Sequence, residues 1–281
     1  MISHREKAER FLELHHGPTP LLMPNPWDAG SARLLEGLGF SALATTSSGF
    51  AATLGRLDGS VTREEALEHS AAIVAATTLP VSADLEDCFS RSPAGVAETV
   101  ALAAAAGLAG CSIEDFTRDA DDPLYDRALA TDRVAAAAEA AAAGPARLVL
   151  TARAENYLHG RRELADTIAR LQAYQEAGAD VLFAPGLTSL AEVREVVRSL
   201  DRPVNVLAMP GGPTVAELAE AGVSRISVGG AFAFAAIGAV VQAARELREQ
   251  GTYGYLKQAG QGRAAALAAF GTPVGTPPGP R

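Results

Sequence analysis

Pro80-Val81-Ser82-Ala83-Asp84-Leu85-Glu86-Asp87 is a short apolar run that stops on carboxylates. The same figure returns at Cys111-Ser112-Ile113-Glu114-Asp115 and at Leu150-Thr151-Ala152-Arg153-Ala154-Glu155. Runs this short and apolar on both faces read as strands of a buried parallel sheet. Outward from these three, taken as strands over 80–84, 110–114 and 148–153, similar runs lie at 20–24, 42–46, 181–184, 204–207 and 225–228. Each is followed by a helical stretch: 29–38, 63–77, 93–106, 131–143, 161–177, 190–199, 214–221 and 232–249. Several of these stop at glycine, as at Ala106-Gly107, Ala143-Gly144, Ala177-Gly178 and Ala221-Gly222, where a left-handed residue closes a helix. Eight strand–helix units in about 250 residues predict a (β/α)8 TIM barrel. A doubly wound sheet would carry a glycine fingerprint after its first strand. Here that position reads Pro24-Asn25-Pro26-Trp27-Asp28. The segment 253–270 predicts one additional C-terminal helix. The expected organisation is a single barrel domain with that helix over 1–270 and a Pro/Gly-rich tail over 271–281.

Barrel chemistry sits where the strands end, so Asp84, Glu86, Asp87, Glu114, Arg153 and Glu155 converge at one mouth with 45–49. Carboxylates gathered there call for a cation, and a hard divalent ion such as Mg²⁺ prefers their oxygens. A metal beside an arginine suits a small carboxylate substrate.

Bulk composition narrows the class. The chain has 281 residues, 48% hydrophobic and 20% charged, enough to bury a sizeable core. Its net charge of −9 speaks against a nucleic-acid or anionic-membrane surface. No apolar stretch reaches the roughly 18 residues of a membrane span. The start, Met1-Ile2-Ser3-His4-Arg5-Glu6-Lys7, is charged and amphipathic rather than a signal peptide. The two cysteines, Cys88 and Cys111, form neither a disulfide framework nor a zinc pattern, and a cytoplasmic location is expected. Both read as small buried fillers. Asp28 reads as a helix cap, Trp27 as packing, and His159 as a surface-loop residue near the fifth strand's end. Gly229-Gly230 reads as an anion cradle or a tight turn.

Together, "PNPWDAGSARLLEGLGF" (24–40), "TTSSGFAATLGRLD" (45–58), "PVSADLED" (80–87), "CSIED" (111–115), "TARAE" (151–155), "AGADVLFAPG" (177–186) and "VSRISVGG" (223–230) resemble the isocitrate lyase and phosphoenolpyruvate mutase superfamily. The resemblance spans about 21–250. It implies a Mg²⁺-dependent barrel, with Mn²⁺ as an alternative ion, acting on small α-keto or 2-hydroxy acids through enolate-like species. Carried onto this chain, it implies Asp84 as direct metal ligand, with Asp58, Glu86 and Glu114 holding the ion through water. Thr45, Thr46 and Ser47 line the substrate carboxylate, the last two through backbone N–H groups. Arg153 neutralises the growing charge, and Arg153, Asp58 and Glu114 form the catalytic set. The resemblance also implies a homo-oligomer, dimer or tetramer, exchanging its C-terminal helix.

The departures narrow the activity. Lyases of the family carry a Lys-Lys/Arg-Cys-Gly-His type loop after the fourth strand. Here it is Phe116-Thr117-Arg118-Asp119-Ala120-Asp121-Asp122-Pro123-Leu124-Tyr125, without cysteine or histidine. The mutases' loop lysine and asparagine are also missing, and Ala44 stands where they have tryptophan. The usual Gly-Tyr-Gly after the third strand is Cys88-Phe89-Ser90, and a common histidine after the sixth is Pro185. The expected reaction is C–C cleavage of the oxaloacetate decarboxylase or substituted-malate lyase kind, with water or Tyr157 reprotonating the enolate. The alternatives are an α-keto-acid-binding barrel with little turnover, phosphonopyruvate-type P–C chemistry, or a class II pyruvate aldolase.

Overall fold

The computed structural model describes residues 2–119, 121–144 and 146–271. The last ten residues of the expected tail lie outside the described residues. Eight parallel strands run β1 (Leu21–Met23), β2 (Leu43–Ala44), β3 (Val81–Asp84), β4 (Gly110–Glu114), β5 (Val149–Arg153), β6 (Val181–Phe183), β7 (Val204–Leu207) and β8 (Arg225–Ser227). Their order is β1-β8-β7-β6-β5-β4-β3-β2. The last gap closes between β1 and β2, where Ala44 N–H donates to Pro24 O at 3.1 Å and Asn25 Nδ2 to Thr45 O at 2.9 Å. This is the (β/α)8 barrel that the sequence predicts.

The helices are α1 (His4–Leu14), α2 (Ala29–Gly37), α3 (Ser47–Thr53), α4 (Arg63–Ala76), α5 (Pro93–Ala105), α6 (Arg127–Ala143), α7 (Leu164–Glu176), α8 (Leu190–Arg198), α9 (Val215–Glu220), α10 (Ala231–Arg245) and α11 (Leu256–Phe270), with a π-helical turn at Glu246–Gln250. Asp28 caps α2, accepting from Ser31 N–H. None of the described helices is long and apolar enough to cross a membrane.

Strand side chains alternate as a pleat requires. Ala83, Cys111, Ile113, Leu150, Ala152 and Leu182 face the helices in one large apolar cluster. The opposite set faces the barrel axis in layers. At the bottom, Phe11 of α1 packs with Leu21, Met23, Val149 and Val181 and plugs the barrel. Above it lies a polar layer on the buried Arg225, which donates to Asn205 Oδ1 at 2.9 Å and Thr151 Oγ1 at 3.1 Å, with His15 Nε2 at 3.1 Å. The top layer is the mouth, and the residues below it hold its floor rigid.

Candidate active site

Arg153 closes β5 and sits at the centre of the mouth. It is two residues beyond Thr151 on the same inward face. Its Nη1 donates to Asp84 Oδ1 at 2.9 Å and its Nε to Glu155 Oε1 at 2.8 Å. Nη2 lies 3.2 Å from Glu114 Oε2 and 2.8 Å from Glu155 Oε1. The Phe183 ring centroid lies 5.3 Å from the guanidinium. Burial opposes the charge of Arg153, but Glu155, Glu114 and Asp84 outweigh it and hold the group above its ordinary range.

Asp84, the last residue of β3, is fixed from two sides. Thr45 Oγ1 accepts from its N–H at 2.9 Å, and Ser47 N–H donates to its Oδ2 at 3.1 Å. Ser47 is the first residue of α3, whose cap is Thr46. Helix N-termini present unpaired N–H groups and a positive dipole end, so β2 and α3 together turn donors toward the mouth. Thr45, Thr46, Ser47, Asp84 and Glu86 line one cavity there with Phe50, Val61, Ala66 and His69.

The carboxylates exceed the cations that face them. Burial, then neighbouring Asp84, pushes Glu86 up to about 7, against the pull of Arg118. Burial raises Glu114 as well, with Glu155, Asp84 and Glu86 adding to it against Arg153. What suits a hard divalent cation here is the chemistry of the donors, all of them carboxylate oxygens whose charge Arg153 and Arg118 do not fully offset. Asp84, Glu86 and Glu114 are the residues that would hold such an ion. Among the described residues no three His, Cys, Asp or Glu side chains converge in a ready ligand set, because Arg153 stands between Asp84 and Glu114. An ion held by Asp84 would take the place of one of its present contacts.

The remaining expectations fall unevenly. Asp58 lies on the exposed stretch after α3, where its Oδ1 accepts from Gly59 N–H at 3.1 Å, and it reaches Glu86 only through its charge. Tyr157 is turned away: its hydroxyl donates to Glu192 of α8 at 3.0 Å, and burial and that carboxylate push it up to about 12. His159 is not a free surface residue. Its ring stacks on Phe116 at 3.8 Å, and its Nε2 lies 3.9 Å from Glu155 Oε2. Gly229 is a turn residue at φ 53° that gives its N–H to Asn25 Oδ1 at 2.9 Å. Cys88 and Cys111 are buried thiols, as expected of fillers.

Arg118 and His69 were not placed at the mouth from sequence, and Glu155, placed there, was given no site role. Arg118, in the loop after β4, gives Nη2 to Glu86 Oε2 at 2.8 Å and Nη1 to Gly59 O at 3.1 Å. Glu155 holds Arg153, and its own N–H is held by Asp115 Oδ1 at 2.8 Å. His69 stacks on Phe50 at 3.8 Å. Arg118 and Glu155 stand inside motifs already singled out, whereas His69 has no sequence signal.

A parallel barrel whose mouth gathers acidic strand ends around one arginine has the make-up of a barrel enzyme's active end. The chain belongs to the phosphoenolpyruvate phosphomutase family, whose model matches residues 11–248. A crystal structure of a candidate lyase/mutase from Burkholderia cenocepacia J2315 is 51% identical, with a TM-score of 0.93 over 98% of this chain and 99% of that one. The crystal structure of 2,3-dimethylmalate lyase, a PEP mutase/isocitrate lyase superfamily member, is 26% identical, with a TM-score of 0.81 over 97% of this chain and 100% of that one. An oxaloacetate decarboxylase of Pseudomonas fluorescens is 30% identical over 261 residues, 88% of this chain and 87% of its own. The chain is thus an enzyme of the isocitrate lyase/PEP mutase superfamily.

Proposed function

We propose that this protein is a divalent-metal-dependent carbon–carbon lyase for small α-keto or 2-hydroxy dicarboxylic acids, of the oxaloacetate decarboxylase or substituted-malate lyase kind. The observation that carries this reading is Arg153, half-buried at the mouth among Asp84, Glu114 and Glu155 and, through Asp84, tied to the α3 N-terminus. Mg²⁺ or Mn²⁺, when bound, supplies Lewis-acid polarisation of the keto acid. Ser47 N–H, with the neighbouring N–H of Thr46, orients the substrate carboxylate. In decarboxylation the C3–C4 bond breaks, CO₂ leaves, and the electron pair stays as an enolate. Arg153 offsets that negative charge, and one such donor is worth about 3 kcal/mol. Glu114 faces the same guanidinium at 3.2 Å and holds Arg153 toward the reacting atoms, and solvent returns the proton at C3.

The chemistry is read from pyruvate, glyoxylate and CO₂ release across a panel of α-keto and 2-hydroxy dicarboxylates. Each is run with Mg²⁺, with Mn²⁺ and with EDTA, beside Asp84→Ala. Metal-dependent release that disappears in the variant is the expected result. Silence from every compound withdraws the proposal. It leaves an α-keto-acid-binding barrel, a reading supported by a loop after β4 without cysteine or histidine. Two buried thiols suit a reducing cytoplasm, and an exposed apolar stripe on α10 suits a homo-oligomer.

A further inference from the structure

The turn that carries Glu86 and Asp87 is held in a conformation its residues resist. Glu86, Cys88 and Phe89 have φ of 51°, 57° and 54°. In this left-handed region a Cβ crowds the following carbonyl, and glycine alone enters it freely. Such L-residues persist in a cluster only where their surroundings hold them. Cys88 N–H donates to Leu85 O at 2.8 Å and Glu114 N–H to Glu86 O at 3.0 Å. The Thr99 hydroxyl donates to Cys88 O at 2.9 Å. The carbonyls of Asp87 and Ser90 are taken by a single side chain, Arg133 of α6. Its Nη2 donates to Asp87 O at 2.5 Å and to Ser90 O at 3.1 Å, while Nη1 donates to Glu114 O at 3.1 Å.

Arg133 is 1% exposed, and each of these bonds goes to main chain rather than to a carboxylate. The Tyr125 ring centroid lies 4.0 Å from its guanidinium, and Nε has no partner among the described residues. A permanent charge buried in this way is a net cost as an ion, so stability alone does not account for it. What its placement achieves is geometric. Cys88 and Phe89 lie between the two carbonyls that share Nη2, so the guanidinium staples the left-handed pair, and Nη1 ties that turn to the end of β4.

We infer that Arg133 is a positioning residue. Acting through the backbone of Asp87, Ser90 and Glu114, it fixes the placement of the Glu86 and Glu114 carboxylates relative to each other, and with it the affinity of the mouth for a divalent cation. The affinity half of this rests on the metal-dependent reading given above; the backbone half does not.

Arg133→Met and Arg133→Lys are compared with wild type, in the intact chain, by amide hydrogen exchange and by Mn²⁺ binding. Arg133→Met speeds exchange at the Cys88 and Glu114 amides at least ten-fold, with the strands of the opposite barrel wall unchanged. It weakens Mn²⁺ binding by about ten-fold, the usual scale for losing a group that orients a ligand. Lysine keeps the charge but not the fork, and falls between the two. Adding Cys88→Gly to Arg133→Met regains part of the affinity, because glycine holds φ near 57° without the staple. Two results overturn the inference: unchanged exchange at Cys88 and Glu114, or a folded Arg133→Met protein of lowered Tm and wild-type Mn²⁺ affinity. A wild-type chain that binds no Mn²⁺ overturns the metal reading and the affinity half with it, and exchange alone then decides the staple. Should Arg133→Met not fold, Arg133→Lys carries the same comparison.

Discussion

Arg153 holds three carboxylates that have no comparable replacement partner. Replacing it with methionine leaves Asp84, Glu114 and Glu155 facing one another with Glu114 and Glu155 buried. Breaking a buried ionic cluster from one side costs about 3–5 kcal/mol. Arg153→Met should therefore lose stability on that scale in denaturant titration, as well as turnover. Loss of turnover with stability intact would mean that the cluster is less coupled than its distances imply. His15 gives a separate test, below the mouth. Its Nδ1 faces Phe11 O at 2.7 Å and its Nε2 faces Arg225 Nη1 at 3.1 Å. The ring is therefore neutral, donating to the carbonyl and accepting from the arginine. Burial, with Arg225 next, pushes its pKa down to about 3. The unfolded chain then binds a proton that the folded chain refuses, so this contribution is complete above about pH 6.5 and falls away as pH drops. Between pH 6.5 and 5 the loss is about 2 kcal/mol by that linkage. Denaturant midpoints across this window, for wild type and His15→Gln, measure it. An equal slope in both proteins would remove His15 as the cause.

At the scale of elements, α3 sets where the substrate donors stand, and Gly49 sets α3. A Cβ there would come 2.6 Å from Thr46 Cγ2 and 3.2 Å from the Cβ atoms of Ala233 and Trp27. Over-packing of this kind costs about 1–3 kcal/mol and displaces Ser47 N–H. Gly49→Ala should raise KM about ten-fold, equivalent to ~1.4 kcal/mol of binding, and steady-state kinetics on the substrate found in the panel would check it. An unchanged KM would detach α3 from substrate binding. The same helix marks a limit of the sequence. Thr46-Ser47-Ser48-Gly49 are weak helix formers, and α3 exists because α10 and Trp27 pack against it, a cause that local propensity does not contain. β4 and β7, by contrast, occupy the predicted 110–114 and 204–207, because strands apolar on both faces announce themselves. α6 begins at Arg127 rather than at 131, since Asp126 caps it through Leu129 N–H. The acidic strand ends were legible as a mouth. The grip of Arg153 on Asp84, 69 residues earlier in the chain, was not. Nor was the inward turn of Arg133, which lies in an alanine-rich helix with no apolar stripe to give its orientation.

At the scale of the whole molecule, α10 presents an apolar face among the described residues. On α10, Phe234, Ile237, Val240 and Val241 are 51%, 43%, 68% and 41% exposed, and their spacing of three and four residues places them on one stripe. Contiguous apolar surface of this kind marks an association site. α11, reached through the turn at Gly251, lies on α2, where Arg33 Nη2 donates to Phe270 O at 3.1 Å. The same contact made to a neighbouring copy's α2 would exchange the helix and bring the α10 stripes toward each other. Size-exclusion chromatography with light scattering should therefore give the mass of a dimer or tetramer for wild type. Val240→Asp places a carboxylate in the stripe, and an unpaired buried charge costs at least about 2 kcal/mol, or some thirty-fold in dissociation constant. The variant should fall to a smaller species at concentrations where wild type stays assembled. It should keep its Tm when extrapolated to low concentration, because Val240 is 68% exposed in the single chain. A wild-type mass of one chain at all concentrations would rule out the exchange and leave the stripe to a different partner.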